Sequence, residues 1–380
     1  MEDFQFYTPV KVYFGQDSHE KLAAICKNKK VMLVYGQKAI KENGVYEEIT
    51  RILNENDISY TDFGGNKLPL YKKILEAVEI CKKEKINCII GIGGCTCMDM
   101  AKIISFVCMN EDHEDYIFAK KDPVGKKHLE TILIPTYASG GSEIDAVSEV
   151  DDLEKHRHGS LYGIYADYAI LNPEFTYSVS KKLTVNGALV SFIQMAISYI
   201  KNENPVGKVI GRALMKMLLQ DIDNIANRLT NYELRAEFMW LSSMSTVGFL
   251  SAGMGGSYAW SIYSFETIAE ALYGIDYRTS MVIFFPAWLK VAVKKFPEEI
   301  KAFVVEIFDI DGRFLPEKAV EKACKKWYKL LEEAQLPTSY DQIGKRPEEK
   351  DLKFEIKRYL EKPFTEEEVY EMMKLSFKGN

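Results

Sequence analysis

Cys88-Ile89-Ile90-Gly91-Ile92-Gly93-Gly94-Cys95-Thr96-Cys97-Met98-Asp99-Met100-Ala101-Lys102 is the stretch on which the fold turns. Its first five residues form an apolar run too short for a helix, and two glycines end it. A helical pattern over Cys97–Val107 follows at once. The same strand-then-break pattern recurs on both sides. Val10–Phe14 ends at Gly15, Val31–Tyr35 at Gly36, Thr131–Ile134 at Pro135 and Tyr168–Leu171 at Asn172-Pro173, with a further short run at Ser59–Phe63. Helix-like segments lie between, as at Tyr71–Glu84, where Ile74, Val78 and Cys81 share one side. Continuous apolar strands alternating with helices indicate a mostly parallel sheet covered on both faces.

After about residue 182 the strand signal stops. Segments of 3.6-residue period take over at 183–201, 206–229, 231–251, 258–273, 279–295, 315–335 and 365–377, with Pro205, Pro286, Pro316 and Pro337 near or between them. The expected organisation is an α/β, Rossmann-like domain over 1–182 and an all-helical domain over 183–380. No internal repeat or low-complexity tract interrupts it.

The totals bound the function. The 380 residues are 47% hydrophobic and 27% charged, with a net charge of −6, which suits two globular domains and argues against a nucleic-acid footprint. The basic run Lys27-Asn28-Lys29-Lys30 is short and reads as a solvated turn. Met1-Glu2-Asp3-Phe4 has neither a basic nor an apolar leader pattern, so no signal peptide is expected. No apolar run approaches the roughly 18 residues of a membrane helix. Seven cysteines without a disulfide-like framework suggest reduced thiols in a cytoplasm. The five histidines are His19, His113, His128, His156 and His158; residues 159–380 contain none.

Three strand ends carry small, flexible residues: Gly36-Gln37, Gly93-Gly94-Cys95-Thr96, and Thr136-Tyr137-Ala138-Ser139-Gly140-Gly141-Ser142. Open α/β sheets bind ligands at the carboxyl ends of their strands. Glycine lets backbone approach a pyrophosphate, and the following helix offers unpaired N–H groups. A dinucleotide site is one reading; glycines that merely supply turns are the other.

Gly93–Lys102 resembles the Gly-Gly-Gly-Ser-x-x-Asp-x-Ala-Lys motif of iron-containing (group III) alcohol dehydrogenases, in their butanol-dehydrogenase-like branch. Further stretches resemble the same family: Tyr7–Gly15, Val34-Tyr35-Gly36 with Ile40–Gly44, Pro135–Glu143, Leu171–Glu174, Ala236–Trp240 and Phe284–Trp288. The resemblance covers nearly the whole chain. It implies the two-domain, dehydroquinate-synthase-like architecture, an NAD(P)-dependent alcohol or aldehyde oxidoreductase, and a homodimer. It also implies a divalent metal held by one Asp and three His, acting as a Lewis acid on the alcohol oxygen. The cofactor positions it implies, together with the strand-end turns, are Gln37, Gly93, Gly94, Cys95, Thr96, Asp99, Thr136, Tyr137, Gly140, His156 and Leu171.

The metal ligands are where this chain departs. The family's Gly-x-x-Asp-x-x-x-His reads Gly187, Val190, Gln194. The remaining ligand positions align with Tyr263 and Tyr277, and a further family histidine near the nicotinamide aligns with Thr267. No shift of register can supply imidazoles that residues 159–380 lack. Losing the acid with the histidines is self-consistent, because an unpaired buried Asp is costly. A metal is therefore not expected. Tyr263, Tyr277, Tyr258, Trp260 and Phe265 would make the region aromatic, or simply pack it.

Other candidates carry bland alternatives. Glu266 and Glu270, one helical turn apart, can converge on a cation or be solvated. Cys95-x-Cys97 resembles half of a soft-metal site but lacks a second pair. Lys155, His156, Arg157 and His158 form a basic cluster that either touches a cofactor or lies in a solvated loop. Cys95 replaces the family's third glycine, and its side chain narrows the approach to a pyrophosphate; Ser139-Gly140 replace Gly-Thr. Two functions remain open. One is an oxidoreductase that polarises its carbonyl without metal, with Tyr263 or Tyr277 as donor. The other is a pseudoenzyme serving as a nucleotide sensor or partner subunit. Gln37 brings no carboxylate to repel a 2′-phosphate, so NADP is permitted alongside NAD.

Overall fold

Each apolar run of the first half becomes a strand of one sheet. The computed structural model describes residues 1–155, 157–344 and 346–379. Strands β1 (Lys11–Phe14), β2 (Lys30–Tyr35), β3 (Ser59–Phe63), β4 (Cys88–Gly93), β5 (Glu130–Pro135) and β8 (Tyr168–Leu171) form a six-stranded sheet in the order β1-β8-β5-β4-β2-β3. Every pairing is parallel, with registers such as Val31↔Cys88 and Ile89↔Thr131. Successive side chains point to opposite faces. Val31, Leu33, Cys88, Ile90, Ile132 and Ile134 accordingly pack on one face with helix Val45–Glu55. Met32, Val34, Ile89 and Leu133 pack on the other with helices Tyr71–Glu84 and Cys95–Val107. Burial on both faces explains why these strands read as continuous apolar runs.

Strands β6 (Val147–Asp152) and β7 (Arg157–Tyr162) form a separate antiparallel hairpin, where the sequence predicts no strand. Its buried positions alternate, but they include Ser148, Asp152 and Ser160, so no apolar run marks it.

The chain divides into two compact units: Tyr7–Val179 with Arg228–Val247, and Met1–Phe6 with Ser180–Asn227 and Gly248–Asn380. The expected division at 182/183 differs from this chiefly in two segments. Helix Tyr232–Met244 belongs to the α/β unit. Arg235, almost wholly buried there, donates to the carbonyls of Leu229 (2.6 Å) and Val179 (3.1 Å). The Gly141 backbone presses on this helix too: a Cβ there would lie 3.0 Å from the carbonyl oxygens of Ser242 and Ser243. Met1–Phe6 belong to the helical unit, where the Glu2 N–H donates to the Gly253 carbonyl (3.2 Å).

In the helical unit, helix Lys181–Tyr199 starts on Ser180, whose hydroxyl caps the Leu183 N–H. Pro286 lies inside helix Tyr277–Lys295, as it does in the expected segment 279–295. Proline lacks the N–H that would reach the Val282 carbonyl. The Trp327 indole donates to that carbonyl instead, at 2.9 Å. The predicted segment 231–251 stops at Met244, and helices Pro297–Phe308 and Glu349–Tyr359 went unseen in the sequence. Among the described residues no helix is long and apolar enough to cross a membrane.

Candidate functional site

The sheet order reverses between β2 and β4: the chain leaves β2 towards β3 and leaves β4 towards β5, on the opposite side. Such a reversal opens a crevice at the strands' carboxyl ends. The glycine turn sits there. Gly93 has φ +143°, which L side chains rarely adopt, and a Cβ on it would lie 3.1 Å from the Cys97 sulfur. Gly94 is the N-cap of helix Cys95–Val107, and no side chain caps the helix in its place. The Thr136 N–H donates to the Gly93 carbonyl (3.0 Å), tying the β5 turn to the β4 turn. Beside them, the Gly36 carbonyl accepts from the Gly65 N–H at 2.8 Å.

The loop after β5 is held by buried polar groups. Gly140 and Gly141 both have positive φ, +76° and +66°. The Cys95 thiol points to the Ser139 carbonyl at 3.4 Å. The Ser139 hydroxyl is buried and has no hydrogen-bond partner among the described residues, an orphan at the strand-end loop. Below it, Lys102 is fully buried and donates to the carbonyls of Ser142 (2.9 Å) and Val147 (2.6 Å) and to Asp145 (2.9 Å). Asp99 accepts from the Ser142 hydroxyl at 2.5 Å and lies 3.8 Å from the Lys102 ammonium. Burial pushes the Asp99 carboxyl up to about 7, against the pull of Lys102. Burial opposes the Lys102 charge, but Asp145 and Asp99 outweigh it and its pKa rises. Glu143, also raised by burial, accepts from the Ser243 hydroxyl.

The expected cofactor positions therefore divide. Gln37 is exposed; Gly94, Cys95, Thr96, Thr136 and Tyr137 are half-buried at the strand-end edge; Gly93 and Gly140 shape its turns. Asp99 is engaged in the internal network. The Leu171 side chain is wholly buried and its carbonyl accepts from Gly15 (3.0 Å). His156 lies outside the described residues. Of its neighbours, Lys155 lies in the turn after β6 and Arg157 and His158 on β7, and all three are paired. Arg157 bonds Asp152 (2.9 Å) and Glu114 (3.0 Å), Lys155 lies 3.4 Å from Glu114, and His158 bonds Asp151 (2.8 Å) and Glu149 (2.6 Å). Sequence reading missed Lys102, Ser142, Asp145 and Glu143 as the loop's anchors. The available signal was a lysine three residues after Asp99 inside a mostly apolar helix.

In the helical unit, Val190 is fully buried on helix Lys181–Tyr199 and Gln194 is half-buried one turn later. Tyr263 and Thr267, both half-buried, lie on helix Ser261–Tyr273, and Tyr277 opens the next helix. Both flanking helices pack against Tyr277–Lys295. Glu266 is buried with one carboxylate oxygen unpartnered, and burial with the nearby Glu270 raises its pKa well above the usual range. Among the described residues, one group of three has metal-ligand atoms close together: His19, Glu20 and Glu48. The Arg51 guanidinium bonds both of its carboxylates at 2.7 Å, so a cation already fills that role. Neither Cys95-x-Cys97 nor Glu266 with Glu270 belongs to such a group. The Cys97 thiol is pushed up to about 12 by burial.

A sheet with its glycine turn at the switch point, followed by a helical half, defines a two-domain α/β-plus-α dehydrogenase scaffold. The chain matches the iron-containing alcohol dehydrogenase family over residues 9–173 and that family's C-terminal region over residues 197–366. It belongs to that family. It is 27% identical over 320 residues to a probable NADH-dependent butanol dehydrogenase 1 of Bacillus subtilis, covering 82% of this chain and 81% of the relative. It is 24% identical over 298 residues to an NADPH-dependent aldehyde reductase of Escherichia coli, covering 76% and 75%. The crystal structure of an NADH-dependent butanol dehydrogenase A from Thermotoga maritima superposes with a TM-score of 0.89 at 26% identity, covering 99% of each chain.

Proposed function

We propose that this chain is a nicotinamide-dinucleotide-binding member of its family in which metal-dependent catalysis has been lost. One observation carries the loss: residues 159–380 contain no histidine. The family's site takes one carboxylate and three imidazoles, and the positions aligned with them hold Val190, Gln194, Tyr263 and Tyr277. Val190 has no donor atom. A side-chain amide and protonated phenols are poor ligands for iron or zinc near neutral pH. That donor set does not fit the metal.

The dinucleotide is supported by the residues that fit it. Gly93, Gly94 and the start of helix Cys95–Val107 suit a pyrophosphate, and the orphaned Ser139 hydroxyl faces no competing partner. The named relatives use NADH in some cases and NADPH in another. Gln37, uncharged and exposed, is compatible with both. When bound, the nicotinamide accepts or supplies a hydride. The chain's contribution to an alcohol or aldehyde substrate is then a hydrogen bond from the Tyr263 or Tyr277 phenol to its oxygen.

A second reading, a pseudoenzyme acting as nucleotide sensor or partner subunit, is favoured by the joint replacement of all four ligands and by Thr267 in place of the fifth family histidine. Dinucleotide titration, elemental analysis and an alcohol-dependent assay separate the readings. Dinucleotide binding, no stoichiometric metal and turnover abolished by Tyr263→Phe or Tyr277→Phe is the expected result for an enzyme. Binding without turnover supports the second reading. Stoichiometric iron or zinc held by the purified chain would overturn both.

A further inference from the structure

A surface cavity of about 480 Å³ lies in the α/β unit, at the opposite strand ends from the glycine turn. Lys30 and Ser59, partners across the sheet, begin β2 and β3 and line it. Thr61 and the end of helix Tyr71–Glu84, with Lys83, Glu84 and Lys85, complete the wall. This wall is fixed by backbone. Lys85 takes a left-handed φ of +59°, and its N–H donates to the Cys81 carbonyl. Asn87 clamps the start of β2 from both sides: its side-chain oxygen accepts from the Lys30 N–H (3.0 Å), and its own N–H donates to the Lys30 carbonyl (3.1 Å).

Charge in the cavity is one-sided. Glu84 is the acid in the lining, and its carboxylate accepts from the Thr61 hydroxyl. Lys83 and Lys85 make no ion pair among the described residues, although Lys73 and Lys82 on the same helix do. Three ammoniums therefore share the cavity with one carboxylate, in a chain whose net charge is −6. Helix carboxyl ends attract lysines in any case. That accounts for Lys30, whose ammonium lies 3.4 Å from the Glu84 carbonyl. It does not account for Lys83 and Lys85, whose ammoniums bond no carbonyl among the described residues. We propose that this cavity binds a small polyanion of the phosphate class, held by Lys30, Lys83 and Lys85 with the exposed Ser59 hydroxyl beside them. An ammonium is a compact charge with three rotatable donors, which suits phosphate oxygens. The volume is that of a small-molecule pocket. The site shares no residue with the glycine turn and does not depend on a dinucleotide binding there.

The test titrates the full chain with inorganic tripolyphosphate by calorimetry, with and without saturating dinucleotide. Binding is expected to persist when the dinucleotide is present. Lys83→Gln with Lys85→Gln, both exposed, should weaken it about tenfold or more, whereas Glu84→Gln should tighten it about threefold. In the native chain, bound tripolyphosphate should slow acetylation of Lys30, Lys83 and Lys85 by acetic anhydride, mapped by mass, and leave Lys73 unaffected. No binding, or equal affinity in the lysine variant, overturns the proposal. Displacement by the dinucleotide overturns it too, because it would place the anion at the glycine turn. Should a variant fail to fold, the acetylation map of the native chain decides. Protection at Lys30, Lys83 and Lys85 supports the site, and its absence there refutes it.

Discussion

The strand-end edge of the α/β unit and the substituted positions of the helical unit answer differently to sequence change. The edge is made largely of backbone: a positive-φ Gly93, a helix start capped by Gly94, and a carbonyl-to-amide link from Gly93 to Thr136. Such a cradle survives side-chain replacement, so Cys95 can stand where relatives have glycine, with its thiol turned to a carbonyl. A metal cage is made of side-chain donors alone. One valine deletes a ligand outright, and the remaining ligands then gain nothing from being kept. On the proposed reading, nucleotide binding and metal binding are separable in this scaffold.

Rebuilding the cage tests that separation most severely. On the proposed reading, Val190→Asp, Gln194→His, Tyr263→His and Tyr277→His together should give a chain that holds about one zinc or iron by elemental analysis, where the unmodified chain holds none. Without metal, the carboxylate at fully buried position 190 should destabilise the variant by about 3–5 kcal/mol, and added zinc should restore its melting temperature. A folded quadruple variant that takes up no metal would show that these four positions do not converge, and the comparison would fail.

The α/β unit has its own weak point in the anchor of the β5 loop. Lys102→Met leaves the buried Asp99 and the half-buried Asp145 without their ammonium. Urea unfolding should show a loss of about 3–5 kcal/mol. Asp99 also predicts a pH dependence. Its folded pKa, about 7, lies above the ordinary carboxyl value of 3.8, so the folded chain holds a proton that the unfolded chain has released. Stability should fall as pH rises from about 4 to about 7 and then level off. In Lys102→Met the fall should extend to higher pH, because the ammonium that lowers the Asp99 pKa is gone.

A smaller and more local effect is expected at the glycine turn. Gly93→Ala forces a side chain to φ +143° and brings its Cβ within 3.1 Å of the Cys97 sulfur. A cost of about 1–3 kcal/mol follows from the strain. Dinucleotide affinity, measured by fluorescence titration, should fall roughly tenfold or more, which is about 1.4 kcal/mol. Unchanged affinity in a folded Gly93→Ala would place the nucleotide elsewhere.

What the sequence made legible follows from the same contrast. Strands β2, β4, β5 and β8 could be read because burial on both faces leaves unbroken apolar runs, whereas the half-exposed edge strands β1 and β3 showed only as short β-rich runs. The hairpin could not be read: Val147-Ser148-Glu149-Val150-Asp151-Asp152 hides its alternation behind buried polar residues. The helical period at 279–295 could be read through Pro286, whose lost backbone donor is replaced from far along the chain by Trp327. Helix Glu349–Tyr359 buries only Leu352 and Ile356, too few to show a period. The glycine turn was visible as a motif, whereas its supports were not: Lys102 finds Asp145, and Glu143 finds Ser243, through tertiary structure alone.

The hairpin supplies the mildest test, because it puts side-chain pairing and backbone architecture in one unit. His158 is held between Asp151 and Glu149, whose hydrogen bonds raise its pKa from 6.5 to about 10 against the opposing effect of burial. A raised histidine contributes its full stability below the unfolded value, near 6.5, and loses it as pH climbs towards about 10. The imidazole is 53% exposed, so solvent screens both pairs and His158→Gln should cost under about 1 kcal/mol. In an NMR titration its ring signals should stay constant between about pH 6 and pH 8. A midpoint near 6.5 would mean that the clamp does not persist in solution. Dinucleotide affinity should stay within about twofold of the unmodified chain in His158→Gln, a change worth less than RT. A larger loss would move part of the nucleotide site from the backbone of the glycine turn onto the charged side chains of the hairpin.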